Sequence, residues 1–374
     1  MWEARADRAR KDIAALAATG LGVTDLHAAA IRMVADDVGA DLACWACIDP
    51  ENLIISSMTS GDSSIPPEYE PLLAEAEYSG EDPHSFAALA RHHTGAVRLS
   101  ELSRTQREHS ARLQTVWRPL GLEHELRVMF VADGACWGAA GMVRSGPNFT
   151  DREVELLLGV APVIAAATRL AVRSEVTAAT RGAVGGRAAI VVAGGEGQLC
   201  SATPAAREWQ ELLDAYAPGR FQTMMRIMTL GSRAAGSAGF RARLRDPHGR
   251  WAILEASQLD GPGEKQTAIS IELASGERLL GLLLTAYGLT TREQEVSRHV
   301  IAGRSTAEIA ERLFISANTV QDHLKSVFAK VGAHRRGELV ARLRPESSAT
   351  ADPPSSAVQV LPPPPSGRTP PLRA

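Results

Sequence analysis

Four cysteines among 374 residues are too few for a disulfide framework, which points to a reducing, cytoplasmic setting. Long hydrophobic runs are missing as well. The most apolar stretch, residues 156–168, lies between Glu155 and Arg169 and contains Pro162. It falls short of the roughly 18 residues that a membrane span needs. The opening MWEARADRARKD mixes charges and has no apolar core, so neither a signal peptide nor a membrane partner is expected. Gly194-Gly195-Glu196-Gly197 has no Lys-Ser or Lys-Thr after it and reads as a hairpin turn, not a phosphate loop. Ser110 and His109 lie in no nucleophile elbow, which argues against a hydrolase. His84, His92, His93, His109 and His124 share no ligand spacing on one element, so no metal site and no cofactor are expected.

The charge balance is more informative than its total of -3. Residues 287–344 carry 10 Lys and Arg against 6 Asp and Glu, a local +4. The first 286 residues carry 28 against 35, or -7. An acidic body with a basic module at one end suits a DNA binder, because only the contacting face must neutralise phosphates.

Along the chain, residues 1–37 have helical apolar spacing, and DLACWACID and LIISSM read as strands. Residues 66–124 read as helices and loops, and ELRVMFVADGACWGAAGMVR as a hairpin turning at Asp133-Gly134. Thr150 and Glu153 form a capping box for a long helix running towards Val176. This order predicts an α+β unit with one central antiparallel sheet. A break is expected at GAVGG, residues 182–186. A second, smaller α+β unit follows: AIVVA, a short strand, helices near residues 204–216, then FRARLRD, RWAILEASQ and TAISIEL. GERLLGLLLTA is a short apolar helix leading onward. Beyond Arg344 the Pro-, Ser- and Ala-rich composition predicts a disordered tail.

Between these lie the strongest local signals. Thr290 with Glu293, and Ser305 with Glu308, are capping boxes, and Ser316 caps a third helix three residues after the second ends. Gly303 sits where a left-handed C-terminal residue is wanted. That spacing forces a crossed helix pair. On the third helix Val320, Leu324, Val327, Phe328 and Val331 must face inward, which leaves Asn318, Gln321, Asp322, Lys325 and Ala329 on a polar outer face. A fourth helix at residues 335–343 closes the bundle.

LTTREQEVSRHVIAGRSTAEIAERLFISANTVQDHLKSVFAKVGAHRRGELVA resembles the LuxR-type helix-turn-helix family. The matching residues include Arg292-Glu293, Gly303, Ile309-Ala310, Leu313, Ser316, Thr319-Val320, His323, Lys330 and Arg336. The resemblance implies a sequence-specific transcription regulator, not an enzyme, whose third helix enters the DNA major groove. It would place Thr319 and Lys330 at phosphates, and Gln321, Asp322 and Lys325 at bases. Many members carry a basic residue where Gln321 stands and an apolar or small one at Asp322, so base preference does not transfer. The fourth helix often supplies the dimer contact in such proteins, so a homodimer is expected, with RNA polymerase as a further partner. Residues 1–180 lack the βα alternation of a response-regulator receiver, which argues against phosphotransfer control.

Residues 10–175 resemble an actinobacterial GAF sensor domain through Asp41-x-Ala43-Cys44-Trp45, Ser110-Ala111-Arg112, Arg118-Pro119-Leu120-Gly121, Glu125-Leu126-Arg127 and Cys136-Trp137-Gly138. Residues 187–275 look PAS-like by element order. The expected organisation is a GAF-like domain at 1–180, a PAS-like domain at 187–275, a linker helix at 276–286, a four-helix LuxR-type domain at 287–344 and the tail at 345–374. An unidentified small-molecule ligand is expected, with Arg112, Arg118, Arg127 and Trp137 as its candidate site. The competing reading pairs the arginines with Glu108, Glu123 and Glu125 on the surface. A redox or metal-dependent enzyme built on Cys44 and Cys47 and tethered to DNA is the alternative function. It is weakened because residues 44 and 47 of one strand point to opposite faces.

Overall fold

The computed structural model describes residues 2–79, 82–182, 189–246, 249–261, 263–274 and 276–343. The tail at 345–374 and residues 183–186 of the expected break lie outside the described residues.

The first unit opens with α1 (Trp2–Ala18) and α2 (Val23–Ala35), followed by β1 (Leu42–Ile48) and β2 (Ile55–Ser60). Then come α3 (Glu70–Tyr78), α4 (Phe86–Arg91), β3 (Ala96–Arg98), α5 (Arg104–His109), β4 (His124–Ala132), β5 (Ala135–Arg144) and α6 (Asp151–Gly182). The five strands form one antiparallel sheet in the order β2-β1-β5-β4-β3. The β4–β5 hairpin turns at Asp133-Gly134, both with positive φ, as a tight two-residue turn requires. The capping box at the start of α6 is present: Glu153 accepts from the Thr150 N–H at 2.6 Å, and Thr150 accepts from the Glu153 N–H at 3.3 Å. Sequence periodicity missed β3, whose three residues pair with β4 but are too few to show an alternation.

One face of this sheet is covered by α1, α2 and α6. Ile13, Ile31, Trp45, Phe130, Met142 and Ile164 meet there in one buried cluster. By length and composition residues 151–179 could cross a membrane. Here Leu156, Val160, Ile164, Val172 and Val176 are buried in the core, which accounts for that apolar character.

The second unit comprises β6 (Ala189–Ala193), β7 (Leu199–Ala202), α7 (Pro204–Tyr216), α8 (Arg220–Ala235), β8 (Phe240–Arg245), β9 (Trp251–Leu259) and β10 (Gln266–Leu273). Its antiparallel sheet runs β7-β6-β10-β9-β8. Helix α8, not anticipated as a separate element, buries Phe221, Met224, Met225 and Met228 against one face of the sheet.

Buried charges join the two units. Arg243 on β8 donates to Asp49 at 2.9 Å and to Glu51 at 2.5 Å, both in the β1–β2 turn. Arg245 donates to Glu175 of α6 at 2.6 Å, and Glu175 accepts from the Val23 N–H at the start of α2. Such pairs add little net stability, but they penalise any arrangement that separates them.

The helical remainder is α9 (Gly276–Ala286), α10 (Thr291–Ile301), α11 (Thr306–Leu313), α12 (Ala317–Val331) and α13 (Arg336–Leu343). Helix α9 is apolar on several sides for a reason. Its Leu279, Leu282, Leu283 and Leu284 pack in a cluster with Cys47 and Trp137 of the first unit, Val172 and Val176 of α6, and Trp251 of the second unit. That cluster continues into Val296, Val320 and Leu339 of the following helices.

Candidate nucleic-acid interface

Local rules build the terminal helices. Thr290 and Glu293 exchange the two bonds of a capping box, as do Ser305 and Glu308. Ser316 accepts from the Thr319 N–H at 3.0 Å and its hydroxyl meets Thr319 Oγ1 at 2.8 Å. Gly303 and Gly332 take φ of 78° and 72° after α10 and α12, a conformation that glycine adopts without a Cβ penalty. Phe314 takes φ of 54° in the corner between α11 and α12, and is 95% exposed there.

Val296, Val300, Ile309, Val320, Leu324, Val327, Leu339 and Leu343 form the buried interior. The inward face read from spacing is therefore present, with Phe328 only half-buried at its edge. On the opposite side of α12, Asn318, Gln321, Asp322, Lys325 and Ala329 are all exposed. Among the described residues the side chains of Asn318, Gln321, Asp322 and Lys325 make no hydrogen bond or ion pair. Four polar side chains on one helix face, free of internal partners, can address an external hydrogen-bonding surface.

Lys330 and Arg336 are placed differently. Lys330 Nζ donates to Glu293 Oε2 at 2.7 Å, and Ser326 Oγ donates to Glu293 Oε1 at 2.6 Å. Burial would raise the Glu293 carboxyl, but the bonds from Lys330, Ser326 and the Thr290 N–H overcome it and bring it to about 2. Arg336 donates to the backbone carbonyl of Arg304, tying α13 to the loop after α10. The capping boxes were legible in the sequence; this cross-helix use of Glu293 was not, because nothing local announces it.

The sensor candidates separate into two groups. Arg112 and Arg127 come together around one carboxylate: Arg112 Nε donates to Glu125 at 2.9 Å and Arg127 Nε at 3.1 Å. Arg112 also pairs with Asp82, and Arg127 with Glu77 at 2.7 Å. All five are buried side chains, so the pairing with acids occurs inside the unit and not on its surface. Arg118 stands apart, bonded to Gln114 at 2.7 Å. Trp137 is also apart, buried in the cluster with Cys47 and α9. The two cysteines fall on opposite sides, Cys44 lining a cavity and Cys47 within that cluster. Burial pushes the Cys44 thiol up to about 12 and the Cys47 thiol up to about 11. Both stay protonated at neutral pH and are poor nucleophiles there.

A capped, crossed helix pair with an exposed polar third helix defines a helix-turn-helix DNA-binding module. The sequence profile described as "Bacterial regulatory proteins, luxR family" matches residues 288–343. The spore germination protein GerE of Bacillus subtilis is 40% identical over 55 residues, 15% of this chain and 74% of GerE. Through this segment the chain belongs to the LuxR family of bacterial regulatory proteins. A putative HTH-type transcriptional regulator of Mycobacterium tuberculosis is 50% identical over 52 residues, 14% of this chain but only 6% of that protein. Among solved structures, VqmA of Vibrio cholerae shares 15% identity with a TM-score of 0.20, over 43% of this chain and 82% of VqmA. That superposition is too loose to define a common overall fold.

Proposed function

We propose that this protein is a cytoplasmic one-component transcription regulator in which α12 reads the major groove of double-stranded DNA. The observation that carries the reading is the set of exposed, internally unpartnered side chains on α12, held by a rigid capped bundle in a segment with a net charge of +4. Family membership supports it. Gln321, Asp322 and Lys325 are assigned to base edges with Asn318 beside them, and Thr319 to a phosphate. Lys330 and Arg336 are assigned to phosphates, and Lys330 would share its ammonium between a phosphate and Glu293. The first unit acts as a GAF-like sensor and the second as a PAS-like one. The functional form is a homodimer that contacts RNA polymerase, and the signal is a small molecule.

The protonated, separated thiols of Cys44 and Cys47 weigh against the redox or metal-dependent enzyme. Selection of randomised duplexes by the full chain, at several salt concentrations, tests the proposal. A single enriched motif is expected, with affinity falling as salt rises. Binding without sequence enrichment would refute the assignment of α12 as a reading helix.

A further inference from the structure

A cavity of about 550 Å³ lies between the two units. Its first-unit wall includes Cys44, Met58, Leu73 and Trp117, and its second-unit wall includes Leu213, Thr223, Met224 and Ile227. Neither unit closes it alone: the sheet and α3 supply one side, and α7 and α8 the other. The volume falls within the roughly 300–1,000 Å³ of small-molecule sites, and most of the named residues are apolar.

The charges on the wall cancel. Glu70, Glu77 and Glu125 face Arg127, Arg220 and Arg245. Arg127 is taken by Glu77 and Glu125, and Arg245 by Glu175. Arg220 lies over the Tyr216 ring at 5.6 Å and acts on the nearby Glu70. Behind the wall Asp82 and Arg112 pair with one another. An entering anion would therefore meet guanidiniums already opposed by carboxylates, and would lose its hydration for little return. An uncharged molecule has no such cost. Trp117 Nε1, Thr59 Oγ1 and Arg245 Nε, the lining residues' polar atoms without a partner among the described residues, are buried and do not open onto the space.

We propose that the cavity between the sheet of the first unit and helices α7–α8 of the second binds an uncharged, mostly apolar small molecule. Such a ligand touches both units at once, and deepens the sensor part of the regulator reading. It departs from the candidates read in the sequence, since Arg118 and Trp137 do not line this space and the arginine pair is already neutralised.

Two naphthalene dyes test it on the full chain. Prodan is an uncharged naphthyl ketone, and anilinonaphthalene sulfonate is an anion of comparable ring size. Prodan should bind saturably, and at least about tenfold more tightly than the sulfonate. Thr223→Trp fills the cavity from the second unit and Met58→Trp from the first. Each should weaken prodan by about tenfold or more with the far-ultraviolet circular dichroism unchanged; two variants guard against one that fails to fold. Absence of saturable prodan binding, equal or tighter sulfonate binding, or full prodan affinity in both folded filling variants would overturn the proposal. Duplex selection by the full chain uses α12 and not the cavity, so a failure there would strike the DNA-reading assignment alone.

Discussion

Lys330 at the C-terminal end of α12 donates to Glu293 in the first turn of α10, Nζ to Oε2 at 2.7 Å. The same carboxylate caps α10 through the Thr290 N–H and accepts from Ser326. One acidic side chain thus fixes the start of α10 and ties α12 across it.

Glu293→Ala should destabilise the chain by about 2–3 kcal/mol, because it removes a cap and leaves Lys330 and Ser326 without their acceptor. Folding lowers this carboxyl from an ordinary 4.5 to about 2, so its contribution is complete at neutral pH. It is lost as pH falls from about 4.5 towards about 2. Urea titrations between neutral pH and pH about 3 should show wild type losing stability faster than Glu293→Ala over that window. Parallel losses in the two proteins would contradict the assignment.

Gln321→Ala and Lys325→Ala should each cost about 1–3 kcal/mol at the preferred DNA site and relax preference at single positions. Lys330→Ala should weaken all duplexes to a similar degree and lower the melting temperature. The selected site should hold two inverted half-sites roughly 10 base pairs apart, centre to centre. A motif rewritten by Lys330→Ala and untouched by Lys325→Ala would mean the faces of α12 have been exchanged.

Arg243→Met should cost about 3 kcal/mol or more, since it strands the fully buried Asp49 carboxylate between the two units. Adding Asp49→Asn should recover part of that loss, as both charges are then gone. Chemical denaturation of the single and double variants decides it: a double variant less stable than Arg243→Met would show that Asp49 has another essential partner.

Leu283→Ala removes a side chain that is 1% exposed where α9 meets the shared core, and should cost about 2–5 kcal/mol. Limited proteolysis should then find new cleavage between the second sheet and α10. An unchanged digestion pattern would mean that α9 keeps its seat without this contact.

The helix-turn-helix was legible because its determinants are local. Thr290, Ser305 and Ser316 each bond a backbone N–H three residues on, and the inward face of α12 follows helical spacing. The β4–β5 hairpin of the first sheet was legible for a similar reason, since the Asp133-Gly134 turn marks it locally. The sensor residues were not. Whether Arg127 meets a ligand or Glu77 depends on α3, 50 residues earlier, and no spacing encodes that contact. The cavity is likewise made by the packing of α8 against α3, elements far apart in sequence. One signal was available and went unused: three successive leucines, 282–284, exceed what a one-sided helix can bury and point to a helix enclosed on several sides.

That enclosure has a thermodynamic consequence. Leu279, Trp137, Trp251 and Val296 belong to one continuous cluster, and the Arg173 guanidinium lies 5.1 Å from the Tyr287 ring where α9 meets the terminal helical bundle. The bundle is therefore not a bead on a string. It shares its heat of unfolding with the sheets behind it, so a calorimetric scan should show one endotherm in place of separate peaks for sensor and bundle. Under the proposed regulator function, a change at the sheets would reorient α12 only by exchanging one close-packed arrangement for another, which favours discrete states over graded swivelling.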